Sequence, residues 1–163
     1  MFEALSRPYR GSPLDYYAYS TLSTSRIRFF HASQRFGKED GKMMIAYDSR
    51  TGNVQRFVDK LNDRLPSVQI QPDLRVDKPF VLITYTTGFG QVPEKVEAFL
   101  ADNHAYLRGV AASGNRNWGA NFAKSADWIA QRYRVPVLAK FELSGTTRDL
   151  ESFQNEVTSI AAY

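Results

Sequence analysis

The chain has 163 residues, 43% of them apolar and 13% aromatic, with a net charge of +4 and no cysteine. That length suits one domain with ample material for a core, and the missing thiols exclude disulfides, thiol catalysis and thiolate metal sites. No apolar stretch is long enough to span a membrane, and the two histidines, His31 and His104, stand far apart, so the chain reads as a soluble intracellular protein without a structural metal.

Residues 1–42 carry seven Lys/Arg against four Asp/Glu, whereas residues 43–163 carry fourteen against thirteen. The excess charge thus sits at the N-terminus. The larger part has no basic stripe of the kind that tracks a phosphate backbone, so no nucleic acid is expected as partner. The first forty-two residues are rich in Ser, Tyr, Arg, Gly and Pro and follow neither a helical nor an alternating pattern. They are expected to form an N-terminal extension, irregular or non-native, because Met43 and Met44 stand where the first strand should begin. Residues 43–163 are expected to form the functional domain. Glu3, Asp15, Glu39 and Asp40 count against an organellar presequence.

From Met43 onward, strand-like and helix-like segments alternate. The apolar run Met43 to Tyr47 reads as a buried strand, and Val54, Phe57, Val58, Leu61 and Leu65 share one helical face, with the helix ending near Leu65-Pro66. Val68 to Ile70 is a weak strand candidate and Phe80 to Tyr85 a strong one. Pro93 suits a first helical position, ahead of Val96, Phe99 and Leu100. Leu107 to Ala112 is the fourth strand, and Ala120 to Tyr133 a helix with Phe122, Ala126, Ile129, Ala130 and Tyr133 on one side. Val135 to Phe141 is the fifth strand. Thr146 caps a last helix carrying Leu150, Phe153, Val157 and Ile160, with Asp149 completing a capping-box-like pair. Strands this apolar, separated by helices, predict a doubly wound α/β fold with a parallel sheet covered on both faces.

Such sheets bind ligands outside the carboxyl ends of their strands, which selects three loops. The first is Asp48-Ser49-Arg50-Thr51-Gly52-Asn53, running into Val54. Free backbone N–H groups, the hydroxyls of Ser49 and Thr51, a close approach at Gly52 and an N-cap at Asn53 suit a phosphate. A merely well-capped helix start would use the same residues. The second loop is Thr86-Thr87-Gly88-Phe89-Gly90-Gln91, and the third is Ser113-Gly114-Asn115-Arg116-Asn117-Trp118-Gly119. Each of these two joins glycines, small polar residues and one large aromatic, the mixture that a flat ring against the sheet edge requires. Taken singly, Gly88 and Gly90 are also explained by a turn and Trp118 by the core. The three loops agree in composition, and Gln71 to Pro79 at the other end does not share it.

Other chemistries fail on their motifs. No G-x-G-x-x-G follows the first strand, and neither G-x-x-x-x-G-K-[ST] nor G-x-S-x-G occurs. Thr84-Tyr85-Thr86 stands where a phosphoacceptor aspartate would be needed. No protein acid, base or nucleophile is evident, so no catalytic residue is assigned. What survives is a planar, phosphate-bearing cofactor that brings its own chemistry.

Ser49-x-Thr51-Gly52-Asn53 resembles the FMN phosphate loop of flavodoxins, with Val54 where a second threonine is usual. Tyr47 to Phe57, Val81 to Pro93, Gly109 to Asn115 and Phe141-Glu142-Leu143-Ser144-Gly145-Thr146 closely resemble the NrdI family, the small flavodoxin-like proteins that serve class Ib ribonucleotide reductase. The resemblance spans Met43 to about Thr158. It implies a flavodoxin-like five-stranded parallel sheet of order 2-1-3-4-5, with FMN as cofactor and no metal. It also implies that the reduced protein reacts with O2 to give superoxide or a peroxide-level oxidant. That oxidant would serve the radical-bearing small subunit (NrdF) in assembling its dimanganese-tyrosyl radical cofactor. Ser49, Arg50, Thr51, Gly52, Asn53 and Val54 would then hold the phosphate. Thr86, Thr87, Gly88 and Phe89 would line one side of the flavin, and Ser113, Gly114, Asn115, Trp118 and Gly119 the other. An unidentified reductase or a ferredoxin- or thioredoxin-type donor would reduce it, in the cytoplasm and away from membranes. A general electron carrier of flavodoxin type is the alternative, and an NAD(P)H-dependent flavin or quinone reductase ranks third. Arg116 and Lys124 beside the ring loops are expected to ease full reduction of the flavin.

Overall fold

The computed structural model describes residues 42–61 and 64–161. The expected extension therefore lies, but for Lys42, outside the described residues. Five strands, β1 (Met44–Tyr47), β2 (Ser67–Gln69), β3 (Phe80–Tyr85), β4 (Leu107–Gly114) and β5 (Val137–Glu142), form one all-parallel sheet in the order β2-β1-β3-β4-β5. The expected sheet order is thus the one observed. Between the strands run α1 (Asn53–Asp59), α2 (Glu94–Asn103) and α3 (Lys124–Tyr133), and α4 (Thr147–Ala161) closes the chain.

Side-chain alternation along the strands builds two cores. Ile45, Val81, Ile83 and Phe141 meet Val54, Phe57, Phe153 and Val157 on the α1/α4 face. Met44, Ala46, Phe80, Leu82 and Val110 meet Val96, Phe99, Leu100, Ala126 and Ile129 on the α2/α3 face. Phe57 stacks on Phe141 with centroids 3.9 Å apart and meets Phe153 edge-on at 5.7 Å, so α1 and α4 are tied to β5 through one aromatic cluster. Gly145, with φ of +66°, makes this possible: a Cβ there would lie 2.6 Å from Phe57.

The element boundaries depart from expectation where tertiary contacts decide them. Helix α1 ends at Asp59 rather than near Leu65, because Leu61 N–H bonds to Val58 and Arg64 N–H to Leu61, three residues back, which tightens and ends the helix. Pro93 is the N-cap of α2, in extended conformation, and not its first helical residue. The single helix expected from Ala120 is interrupted. A 3-10 segment, Arg116–Asn121, comes first, and α3 starts only after Ala123, which sits in left-handed conformation. Strand β4 extends through Ser113 and Gly114, and β5 starts after Pro136. The capping box at α4 forms as expected: Asp149 N–H donates to Thr146 Oγ1, and Thr146 N–H donates to Asp149 Oδ2 at 2.7 Å. Among the described residues no helix is long and apolar enough to cross a membrane.

Candidate functional site

The chain leaves β1 for β2 on one side and reaches β3 on the other, so the carboxyl ends of β1 and β3 mark the point where strand order reverses. A cleft of about 450 Å³ opens there. It is lined by Ser49, Arg50, Thr51, Asn53 and Val54, by Thr86, Thr87 and Gly88, and by Ser113, Gly114, Asn115 and Trp118. The three sequence-selected loops therefore converge, and of the fifteen residues expected to hold the cofactor only Gly52, Phe89 and Gly119 stay outside the lining.

The first loop is held by its own side chains. Gln55 N–H donates to Ser49 Oγ at 3.1 Å, and Asn53 Nδ2 donates to Thr51 Oγ1 at 3.2 Å. Both hydroxyls are used as acceptors, so each keeps its own hydrogen for an anion. Asn53 is the first residue of α1 and not its N-cap. Gly52 holds the cap position at φ of +79° without a side-chain cap, and Arg56 Nη2 donates to Asn53 Oδ1 at 2.6 Å. Gly52 acts by shaping the turn.

The second loop is a tight hairpin. Thr87 and Gln91 exchange both backbone hydrogen bonds, at 3.0 and 2.8 Å, with Gly88 and Gly90 at positive φ between them. Its tip, Phe89, is 92% exposed and turns from the cleft to the groove between α2 and α3, beside Trp128. The base of the hairpin is fixed from a distance. Ala123 offers α3 no capping side chain, and Thr86 supplies the cap instead: Ser125 N–H donates to Thr86 Oγ1 at 3.2 Å, and the two hydroxyls share a buried hydrogen bond of 2.9 Å. The third loop is set by Asn115, whose Oδ1 accepts from Asn117 N–H at 2.9 Å. Gly119 breaks the 3-10 segment at φ of +53° just after Trp118. Gly114 is packed so closely on α3 that a Cβ would lie 2.5 Å from Ala123 N.

Two residues in the cleft wall were not selected from sequence, Tyr85 and Leu143. Tyr85 is the last residue of β3, and strand alternation could have placed it at the mouth. Leu143 belongs to a fourth loop after β5, which the strand-end rule covers but whose composition lacks a second glycine or an aromatic. Burial pushes the Tyr85 phenol above its ordinary pKa, the Asp48 carboxylate adds to the rise, and Arg50 opposes it. Tyr47, which donates to Gln55 Oε1 at 2.6 Å, is also raised, chiefly by burial. Asp48 is itself buried and pairs with Lys95 at 3.2 Å.

Of the cations expected to favour a reduced, anionic ring, Arg116 has a carboxylate partner of its own, whereas Lys124 shares one with Lys140. Arg116 pairs with Glu142 at 3.7 Å and lies over the Phe122 ring, and Lys124 faces Asp127 at 3.5 Å, which also binds Lys140 at 2.7 Å. Arg116 is thus offset by Glu142, while the group of Lys124, Asp127 and Lys140 keeps one net positive charge. Among the described residues no cluster of His, Asp or Glu has the makings of a metal site.

The family model described as NrdI Flavodoxin like matches residues 45–155. A curated relative, Protein NrdI from Bacillus licheniformis, is 57% identical over 118 residues, covering 72% of this chain and 89% of the relative. Among solved structures, a short-chain flavodoxin associated with a non-canonical PDU bacterial microcompartment aligns over 74% of this chain and 97% of its own, with a TM-score of 0.58 and 19% identity. Oxidised flavodoxin 2 from Bacillus cereus aligns over 75% and 99%, with a TM-score of 0.53 and 21% identity. At these identities the structures speak to the fold alone.

Proposed function

Since the chain belongs to the NrdI flavodoxin-like family, we propose that its cleft holds FMN and that the reduced protein supplies oxidant to the radical-bearing small subunit (NrdF) of class Ib ribonucleotide reductase. The observation that carries this reading is the convergence of a hydroxyl-bearing loop with a glycine-shaped aromatic wall in one cleft. The cleft volume suits a small-molecule site, for which roughly 300–1,000 Å³ is usual. Gly88 and Gly114 let the two ring loops pack closely behind the wall: a Cβ at Gly88 would lie 2.5 Å from Gln91 Oε1, and one at Gly114 would lie 2.5 Å from the Ala123 backbone nitrogen.

In this reading Ser49 and Thr51 donate their hydroxyl hydrogens to the phosphate, and the backbone N–H groups of Asn53 and Val54 add to them. Val54 contributes no hydroxyl, so its backbone serves alone. Thr86 to Gly88 and Ser113 to Asn115 present main-chain groups to the ring edge, and Trp118 shields a face from water. The flavin, when bound and reduced, supplies the electron transfer to O2 that gives superoxide or a peroxide-level oxidant. The electrons come from a separate donor, a reductase or a ferredoxin- or thioredoxin-type protein, in the cytoplasm. Residues 1–42 lie outside the flavin domain in this proposal, and a protein beginning at Met43 should bind FMN with unchanged affinity.

The test is activation of the small subunit. Reduced, FMN-loaded protein, manganese-loaded NrdF and air should together produce a tyrosyl radical by electron paramagnetic resonance, and omission of either protein should abolish it. Full flavin turnover without radical would favour the alternative, a general electron carrier.

A further inference from the structure

Leu143 combines three properties that folding alone does not explain. It is a large apolar residue, 53% exposed, in a left-handed backbone conformation with φ of +51°. It belongs to neither hydrophobic core. It also lines the cleft. Left-handed geometry is unfavourable for an L side chain and persists only where the surroundings over-determine it.

Here they do so from the cleft itself. The Ser113 hydroxyl donates to the Leu143 carbonyl at 2.6 Å, and Leu143 N–H donates to the Gly114 carbonyl at 3.2 Å. Gly145 N–H then donates to the Glu142 carbonyl at 2.8 Å and closes the turn. Lys60 Nζ donates to the Ser144 and Gly145 carbonyls, pinning the loop to the end of α1. A glycine at position 143 would satisfy every one of these backbone bonds without strain. Neither these bonds nor either hydrophobic core accounts for the isobutyl group, which faces the cleft.

We propose that Leu143 is a flavin-binding residue, an apolar cover for the ring system contributed by the loop after β5. The inference rests on the FMN reading above and deepens it. The phosphate and ribityl chain of FMN are polar, so the ring is the one part of the ligand against which a leucine side chain gains by losing water. Ser113 and Gly114, which hold the loop, are also wall residues, so the cover and the wall it faces move as one unit.

The experiment uses the full chain and two variants, Leu143→Gly and Leu143→Asn. Glycine removes the strain and the side chain together, and asparagine tolerates the left-handed backbone at similar size but is polar. Thermal unfolding of the ligand-free proteins should show both variants at least as stable as the parent. Titration with FMN and with riboflavin, which lacks the phosphate, should show each ligand bound about tenfold more weakly by Leu143→Gly, consistent with the loss of a partly buried leucine contact. The vibronic structure of the bound flavin's visible band should also blur as water reaches the ring. Equal affinities for parent and variants, with raised stability, would overturn the inference and leave the strained leucine to some other contact. A loss confined to FMN and absent for riboflavin would also overturn it, because it would place the effect at the phosphate. If the parent protein binds neither flavin, the FMN reading itself fails, an outcome visible before any variant is compared.

Discussion

The two ends of the cleft are built in opposite ways. At the end proposed for the phosphate the side chains of Ser49, Thr51 and Asn53 make local contacts, with Gln55, Asn53 and Arg56 respectively, all within one strand-to-helix turn, and Asp48 at its edge adds one long-range pair with Lys95. At the ring end local contacts, Thr87 with Gln91 and Asn115 with Asn117, are joined by cross-links between separate segments: Thr86 with Ser125, Ser113 with Leu143, and Gly114 against Ala123. A local loop can lose one side chain and keep its course, because the chain itself holds the turn. A wall assembled from several strands depends on each cross-link. Damage at the ring end should therefore cost stability and ligand together, whereas damage at the phosphate end should cost mainly ligand.

The largest expected effect is at Gly114. In Gly114→Ala the new methyl would meet the backbone nitrogen of Ala123 at 2.5 Å, where no flexible side chain can yield. A loss of about 3 kcal/mol is expected, with a matching fall in denaturation midpoint and poor flavin uptake. Next comes Thr86→Val, which keeps the shape but leaves Ser125 N–H and the buried Ser125 hydroxyl without their partner. About 2 kcal/mol should be lost in urea unfolding, together with flavin affinity. A Thr86→Val protein of parental stability would break the comparison, since the ring end would then not depend on its cross-links.

Ser49→Ala tests the other side. It removes one helix-start acceptor, worth about 1 kcal/mol, and one phosphate donor. FMN affinity should fall about tenfold while riboflavin affinity is unchanged. An equal loss for both ligands would show that the first loop also shapes the ring end.

The smallest expected effect is electrostatic. The Tyr85 and Tyr47 phenols are raised in the folded protein, chiefly by burial, so the folded state holds their protons more tightly than the unfolded chain. Stability from this source is fully present below the ordinary tyrosine value of about 10 and is lost as pH rises through the higher folded values. Unfolding midpoints for parent and Tyr85→Phe should stay parallel from neutral pH to about 9. Above that the parent should fall more steeply, and curves parallel up to pH 11 would contradict the shift.

This division also explains what the sequence revealed. Strands buried on both faces, such as Phe80 to Tyr85, carry their pattern in consecutive residues, and so does the Thr146–Asp149 capping box. The first loop's place in the cleft could be read for the same reason, as its lining residues, Ser49 to Val54, stand within six positions. What escaped were features defined by distant partners. Ala123 adopts its left-handed conformation where Gly114 packs against it, and that delays α3 beyond the periodic start at Ala120. Asp59 ends α1 although the apolar spacing continues to Leu65. Phe89 shares the composition of a ring-binding loop, yet the hairpin bridge at Thr87 and Gln91 aims it away from the cleft. Leu143 stands in a stretch that carries the family resemblance, yet nothing local points it to the cleft; its bonds to Ser113 and Gly114, about thirty residues earlier, show where it stands. The partners of Arg116 and Lys124 were likewise invisible, and with them the limits of an argument from net charge.

The most direct test of the central claim is a titration of the ligand-free protein with FMN, followed by flavin absorbance and fluorescence. The account predicts saturable binding of a single equivalent, with riboflavin bound more weakly by the contribution of the Ser49 to Val54 loop. Failure of the correctly folded protein to take up FMN would contradict it, because the convergence of the three loops would then have no ligand to explain it.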